Sequence, residues 1–557
     1  MLLVITEKIK KTISDSLDRL GVKNANVFLE HPKDFVYGDY SFAAMRLKIG
    51  ANDLAKEVAK NLPDGVEKVE AVGGFVNFFL KKEFFTKSVK NILDKRDDFG
   101  NNSNLSGKKI VVEYTDANPF KEFHIGHLMS NSVGESIARL FQAQGAEVKR
   151  ACYQGDVGLH VAKAIFGYVN GEKEWGKAYA KGNEAYETNE KAKKEIEEIN
   201  EKIYLRKDEK LNDVYESGRK TSLESFEEIY KRLGTKFDFY FFESETGEFG
   251  RKIVEKNIGK VFEKSEGAII FPESKSGLHT RVFLNSRGLP TYEAKELGLA
   301  KIKYEKYQYD LSFIITANEI NEYFRVLLRA MEIIFPELAK KTKHLSHGML
   351  RLPSGKMSSR TGSVVKAESL IEEVKNKLPS GGTDEVAIGA IKYSILRQHI
   401  GGDIIFDFGK SISLEGDSGP YLQYSYARAK SVLAKSQNFS SEHTSRDTDI
   451  FLLKNSSCSR QSRSQVPARQ VPLKVLQIER LLYRFPEVVG RAASEYAPHY
   501  IATYLIELAG AFNNWYARER ILDAGEETPY RLALTEAFSV VMKNGLKLLG
   551  IQAPEKM

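Results

Sequence analysis

Cysteine is scarce, with Cys152 and Cys458 the chain's two. So few thiols, so far apart, exclude a disulfide framework and a four-cysteine zinc site, and they fit a reducing compartment. Long apolar runs are also missing. The apolar start at Met1 to Ile5 is interrupted by Glu7 and Lys8, and nowhere do eighteen uncharged apolar residues run together. Neither a secretory leader nor a membrane span is therefore expected, and a cytoplasmic location is. Charge of one sign is not in large excess. The 83 Lys and Arg against 75 Asp and Glu leave +8 over 557 residues, which permits a polyanionic partner and fits a mildly basic soluble enzyme equally well. One stretch lacks acid altogether. Between Ile450 and Ile478 stand Lys454, Arg460, Arg463, Arg469 and Lys474 with no Asp or Glu, in a Ser/Arg/Gln-rich context. It reads as a disordered connector, as an RNA-contacting basic loop, or as a local sequence error.

What is present is enough apolar material, 42% of residues, to bury sizeable cores in several domains. The most informative stretch runs from Lys109 to Phe141. Ile110, Val111 and Val112, leading into Glu113 and Tyr114, have the β-branched character of a short buried strand. From Leu128, apolar residues recur at helical spacing through Val133, Ile137, Leu140 and Phe141. A strand that hands over to a helix through a loop offers unpaired N–H groups and the positive end of a helix dipole to phosphates. In that loop, His124-Ile125-Gly126-His127 sets two imidazoles three residues apart, where both can donate to phosphoryl oxygens. Gly126, lacking Cβ, lets a purine approach the backbone. More than two hundred residues later, Gly355-Lys356-Met357-Ser358-Ser359-Arg360-Thr361-Gly362 is a basic, small-residue loop suited to closing over a triphosphate.

These two motifs, in this order, resemble the two signatures of class I aminoacyl-tRNA synthetases. The surroundings narrow the likeness. Asn118-Pro119-Phe120-Lys121-Glu122-Phe123 before the histidines, Gly155-Asp156-Val157-Gly158, and Gly419-Pro420-Tyr421-Leu422-Gln423-Tyr424 with Ala427-Arg428 resemble arginyl-tRNA synthetases over nearly the whole chain. Gly38-Asp39-Tyr40 and Gly73 to Phe78 near the start, and the ending Ala553 to Met557, belong to the same likeness.

The resemblance implies an α/β fold, with a Rossmann-type parallel-sheet catalytic domain, an N-terminal α/β domain and a C-terminal α-helical anticodon-binding domain. Residues 1–105 would contact the tRNA elbow, and among Phe35, Tyr37, Tyr40, Phe75 and Phe78 some would stack on bases, with core packing the expectation for Phe75 and Phe78. Residues 106–384 would be catalytic, with Phe237-Asp238-Phe239, Arg281 to Leu284 and Phe313 to Thr316 continuing the half-fold, and 385–557 would be helical. The charged stretch Glu172 to Arg232 reads as a helical insertion serving as scaffold.

The same resemblance implies an ATP-dependent arginine–tRNA ligase. ATP with magnesium would enter as substrate with no tightly bound cofactor and no protein-bound metal; L-arginine and its tRNA would be the partners, and the protein a monomer. Lys121, His124, His127 and Lys356 would be catalytic. Lys121, His124, Gly126, His127, Met357 and Ser358 would hold ATP, and Asn118, His127, Asp156, Tyr292 and Glu296 the arginine. Tyr292 and Glu296 stand at i and i+4, a spacing that lets a phenol and a carboxylate converge on a guanidinium.

Departures from the family occur at Val157, where a tryptophan is usual, at His160 and Ile320, where glutamines are usual, and at Glu296, where aspartate is usual. Ser359 replaces the second lysine of the Lys-Met-Ser-Lys-Ser pattern, and Lys121 is expected to supply the missing charge. The rivals are another class I ligase and an RNA-binding paralogue that has lost ligation.

Overall fold

The computed structural model describes residues 2–47, 49–353, 365–379, 382–439 and 475–557. The second signature, with Lys356, Met357, Ser358 and Ser359, and the acid-free stretch up to residue 474 lie outside the described residues.

Helix α1 (Leu2–Arg19) opens the chain and buries Ile5, Ile9, Ile13 and Leu17, an i, i+4 stripe that lies along one helix face. That stripe covers an antiparallel sheet of β1 (Tyr40–Ala43), β2 (Val66–Val72) and β3 (Phe75–Leu80), ordered β1-β3-β2, flanked by α2 (Ala51–Ala59). Gly73 turns the β2–β3 hairpin at φ 60°, a conformation glycine adopts without a Cβ penalty. Then α3 (Lys82–Lys95) leads to the linker.

The catalytic region is a parallel sheet of β4 (Lys109–Glu113), β5 (Glu147–Gln154), β6 (Phe239–Phe242), β10 (Leu311–Ala317) and β11 (Thr342–His347), ordered β11-β10-β4-β5-β6. The chain leaves β4 toward β5 in one direction and returns through β10 on β4's other side. A crevice therefore opens at the carboxyl ends of β4 and β10, the place where open α/β sheets bind ligands. Ile110, Val111 and Val112 are buried on both faces, which explains their uninterrupted apolar run.

After β4 comes α4 (Ile125–Ala143). After β5 come α5 (Leu159–Val169) and three helices of the charged insertion, α6 (Trp175–Thr188), α7 (Glu190–Leu205) and α8 (Glu209–Leu233). β6 runs into α9 (Glu243–Lys256). Arg281 to Leu284, expected in the catalytic sheet, instead form β9 of a separate antiparallel sheet with β7 (Glu263–Ser265) and β8 (Ala268–Phe271). Phe271 and Phe283 of its strands, with Phe262 just before β7, join a core shared with Val254 of α9, Leu297 of the following helix and Ile314 of β10, and a strand paired in this small sheet has no need of the parallel ladder. Helix α10 (Tyr292–Lys306) returns to the main sheet, and α11 (Asn321–Ile334) follows β10.

Further helices are α12 (Ala367–Lys377), α13 (Asp384–Leu396), α14 (Gly419–Phe439), α15 (Gln477–Leu482), α16 (Phe485–Ser494), α17 (His499–Arg518) and α18 (Thr528–Leu548), besides short ones at Glu273–Ser276, Pro336–Lys341 and Phe408–Ser411. Between α15 and α16 the helical run is broken, because Pro486 lacks an N–H to continue the ladder and restarts the helix in its first turn.

Helix α4 is buried almost all round. It lies between the sheet and the helices behind it, where Ser136 Oγ donates to Leu548 O at 2.9 Å and Arg139 to Lys547 O at 2.8 Å. Lys392, wholly buried on α13, donates to Leu233 O at 2.6 Å and Gly550 O at 2.8 Å. Gly134 is required by close approach, since a Cβ there would fall 2.2 Å from the Tyr114 ring.

Tyr40, expected among the base-stacking aromatics, is 1% exposed and donates to Glu487 Oε1 at 2.7 Å. It is closed off because the N-terminal sheet docks on α15 and α16 through polar pairs. His31 meets Glu487 at 2.8 Å, Arg480 donates to Asp39 at 2.6 Å, and Lys82 to Glu479 at 2.6 Å. Tyr37 does remain exposed.

Asp39 is fully buried, with Leu80 N–H on its second oxygen at 2.8 Å. Removing one partner of a buried ion pair strands the other, so Asp39→Ala should lower unfolding free energy by about 3 kcal/mol. Urea unfolding checks this, and a midpoint equal to wild type would show that Arg480 finds compensation elsewhere.

Candidate functional site

The loop between β4 and α4 is the centre of the site, and its backbone is unusual. Thr115, Asp116 and Phe120 have φ of 79°, 46° and 68°, values that cost non-glycine residues free energy unless their surroundings hold them. Here the surroundings do. Thr115 N–H donates to Ser130 Oγ at 3.0 Å, Asn131 to Thr115 Oγ1 at 3.0 Å, Tyr153 N–H to Asp116 Oδ1 at 2.8 Å, and Phe120 N–H to Ser222 Oγ at 2.9 Å. Phe120 is fully buried, edge-on to Trp175 at 5.0 Å.

His124 is the N-cap of α4, and its Nδ1 accepts from Gly126 N–H at 3.1 Å, while His127 Nδ1 accepts from His124 N–H at 3.2 Å. The two rings stack at 3.7 Å. Burial lowers both pKa values, with Lys121 adding to the effect at His124, which falls to about 4, and with His124 and Lys121 adding at His127. Both imidazoles are therefore neutral near pH 7. Because each Nδ1 lone pair is taken by a backbone N–H, the ring proton sits on Nε2, leaving two neutral N–H donors side by side. Gly126 also makes room for this pair, since a Cβ there would lie 2.8 Å from His124 Cε1.

Lys121 lies beside them, its Nζ 4.7 Å from the Tyr179 ring centroid. Burial lowers its pKa to about 8, opposed by the Glu243 charge.

The second half of the site is an array of carboxylates at the carboxyl ends of β4, β5 and β6. Lys303 Nζ lies 2.6 Å from Glu113 Oε2, and Lys295 Nζ lies 2.5 Å from Glu243 Oε2, all four side chains buried. Glu296 makes no hydrogen bond or ion pair among the described residues. Burial raises its pKa strongly, and the neighbouring Glu113 charge raises it further. Asp116 is raised for the same two reasons. Tyr292, one turn before Glu296, is 56% exposed at the rim. Asn118 reaches the floor, where a Cβ on Gly155 would fall 2.2 Å from its Oδ1.

Asp156 is fully buried, and its oxygens are taken by Arg219 Nε at 2.9 Å, Tyr215 OH at 3.1 Å, and Ser244 N and Oγ at 2.9 and 2.7 Å. With these bonds it fastens α8 and the start of α9 to the turn after β5.

The insertion is likewise more than scaffold. Tyr179, Tyr204, Tyr215 and Arg219 reach the site because α6 to α8 fold back over the signature loop, Tyr204 standing 5.7 Å from Lys295. His160 Nε2–H donates to Gly155 O at 2.8 Å, so it holds the turn by a side-chain donor, as a glutamine could. Val157 is buried among Phe120, Val161 and Tyr215.

Sequence reasoning missed Glu113, Glu243, Lys295 and Lys303 as site residues. The available signal was lysine or glutamate at positions the apolar pattern assigns to the interior. Among the described residues no cluster of three or more His, Cys, Asp or Glu is placed to hold a metal ion, and no helix is long and apolar enough to cross a membrane.

Comparison with known proteins gives a consistent set of relatives. The family described as "tRNA synthetases class I (R), catalytic domain" matches residues 88–408, more than half of the chain. "Arginyl tRNA synthetase N terminal domain" matches 5–80, and "DALR anticodon binding domain" matches 422–557. An arginine–tRNA ligase of Clostridium acetobutylicum is 28% identical, aligned over 100% of this chain and 99% of the relative. One from Clostridium kluyveri is 29% identical, over 99% of each. In fold, the chain is similar to Thermus thermophilus arginyl-tRNA synthetase, with TM-score 0.74, 24% identity and 99% of both chains covered. The arginyl-tRNA synthetase of Plasmodium falciparum also has TM-score 0.74, at 18% identity and 99% coverage of both.

Lys121 should titrate near pH 8, well below an ordinary lysine. Carbon-13 shifts of the reductively methylated protein, with Lys121→Arg to assign the resonance, check this, and a midpoint near 10.5 would contradict the burial described for its ammonium.

Proposed function

The chain belongs to the class I arginyl-tRNA synthetase family, and on that premise we propose that it activates L-arginine with ATP and transfers it to the 3′ end of its tRNA. The observation that carries the specificity is Glu296. Among Glu113, Asp116, Glu243 and Glu296, two carboxylates hold the ammonium groups of Lys303 and Lys295, Asp116 accepts a backbone N–H, and Glu296, which feels the Lys303 charge only at a distance, makes no hydrogen bond or ion pair among the described residues. A carboxylate that is half-buried among other carboxylates and has no such partner is costly. A guanidinium offers it the planar pair of N–H donors that offsets this cost, and a neutral side chain does not.

In the first step an arginine carboxylate oxygen attacks the α-phosphorus of ATP, the bond to the β,γ-diphosphate breaks, and arginyl-adenylate and pyrophosphate form. In the second, a terminal ribose hydroxyl of the tRNA attacks the arginyl carbonyl and AMP leaves. No side chain becomes covalently attached, so catalysis is positioning and stabilisation of developing charge. The Nε2–H groups of His124 and His127 donate to phosphoryl oxygens, and Lys121 adds a full charge. Asn118 and Tyr292 complete the arginine side, and Lys356, Met357 and Ser358 the phosphate side. Magnesium enters with ATP as part of the substrate. Action as a monomer and a cytoplasmic site of action are part of the same reading.

Charging of total tRNA with each of the twenty amino acids tests the proposal. Arginine alone should be accepted, and incorporation of lysine at a comparable rate would overturn it. Two variants separate the halves of the site. His127→Ala removes a phosphate donor and should lower kcat by about 10²–10³-fold with tRNA affinity intact. Glu296→Gln should raise KM for arginine and leave that for ATP nearly unchanged, and the opposite split would place Glu296 outside the arginine site.

A further inference from the structure

Immediately before α12 the chain crosses the signature loop. Lys366 forms an antiparallel bridge with His124, Ile125 N–H donates to Val365 O at 3.2 Å, and Ala367 N–H donates to Phe123 O at 2.9 Å. The same residue's side chain joins two other segments. Its ammonium lies 2.9 Å from Glu122 Oε1 in the loop and 3.4 Å from Glu174 Oε1, the residue preceding α6. Glu174 also pairs with Lys177 at 2.6 Å.

The Glu122 carboxylate is packed on the first turn of α6 so closely that a Cβ on Gly176 would fall 1.9 Å from its Oε1. There it faces the positive end of the helix dipole. Between these charges, Trp175 stacks on Tyr168 at 4.2 Å and meets Phe120 edge-on. The signature loop, the start of the helical insertion and residues 365–367 therefore meet at one ammonium group.

The three side chains are 41%, 33% and 46% exposed for Lys366, Glu122 and Glu174. Ion pairs so exposed add little to global stability. What they can do is fix the relative position of the segments they join, and one of those segments carries Lys121 and His124.

We propose that Lys366 is a positioning residue for arginine activation, the backbone on either side of it holding Phe123 and Ile125 about His124 and its ammonium drawing Glu122 and Glu174 together so that the loop is clamped against the insertion. This rests on the reading of the signature loop as the phosphate site. A loop displaced by even an ångström loses a large part of its rate advantage, so the effect should fall on the chemical step.

Single-turnover arginylation with saturating substrates tests it, using Lys366→Met, Glu122→Gln, the two combined, and Lys366→Arg. Each single charge removal should slow the reaction roughly tenfold, and the combined variant should be no slower than the singles, because both break the same contact. KM for arginine and for tRNA should stay within about twofold, Lys366→Arg should recover most of the rate, and the urea midpoint should not move. A wild-type rate in Lys366→Met, losses that multiply to roughly a hundredfold in the combined variant, or a lowered midpoint would each overturn the proposal. His127→Ala acts as the reference for the underlying reading. If it abolishes the reaction while Lys366→Met does not slow it, the clamp fails and the phosphate site stands.

Discussion

The structure turns on an imbalance of buried charge. At the carboxyl ends of the central strands Glu113, Asp116, Glu243 and Glu296 crowd together, and two buried lysines, Lys303 and Lys295, each compensate one of them. Burying carboxylates near one another is unfavourable, and the raised pKa values of Glu296 and Asp116 express that cost. Folding tolerates it because the crevice lies where β4 and β10 diverge, with rigid elements fixing every member. Function follows from the same fact, since the site is poised to gain most from a ligand that brings positive charge.

A second cost is stored beside the first. Three non-glycine residues of the signature loop have positive φ, and each is held by a hydrogen bond or by burial supplied from another element. The result is a loop whose shape is fixed before any substrate arrives. Its two histidines are neutral, with their tautomers set by backbone donors. Neutral donors suit this place, because a cation lodged there would itself be buried, and Lys121 already brings a positive charge beside them. The helical insertion completes the arrangement, reaching Phe120 through Trp175 and Asp156 through Arg219.

How much of this was legible in the sequence differs by part. The strand, loop and helix from Lys109 to Phe141 could be read directly, because buried parallel strands and amphipathic helices leave patterns of known period. The i, i+4 pair Tyr292 and Glu296 could be read as a pair, though not that one stands at the rim and the other inside. Glu113, Glu243, Lys295 and Lys303 stayed hidden, since a charged residue gives no sign in one dimension that its partner lies up to 190 residues away. The partners of Asp156 stayed hidden for the same reason, since its four hydrogen bonds come from Tyr215, Arg219 and Ser244, outside its motif. Tyr40 was an aromatic beside a glycine, and only the docking of the N-terminal sheet on α15 and α16 shows that it is closed to bases. The charged pattern of the insertion described its outer face correctly and said nothing of the inner one.

The central claim is that a half-buried carboxylate, unpaired among the described residues, selects a guanidinium. Equilibrium titration of the wild-type protein with arginine and with citrulline, in the presence of tRNA, tests it most directly, because citrulline keeps arginine's shape and replaces its charged terminus with a neutral urea. The account predicts that arginine binds on the order of a hundredfold more tightly or better. Equal affinities for the two would contradict it.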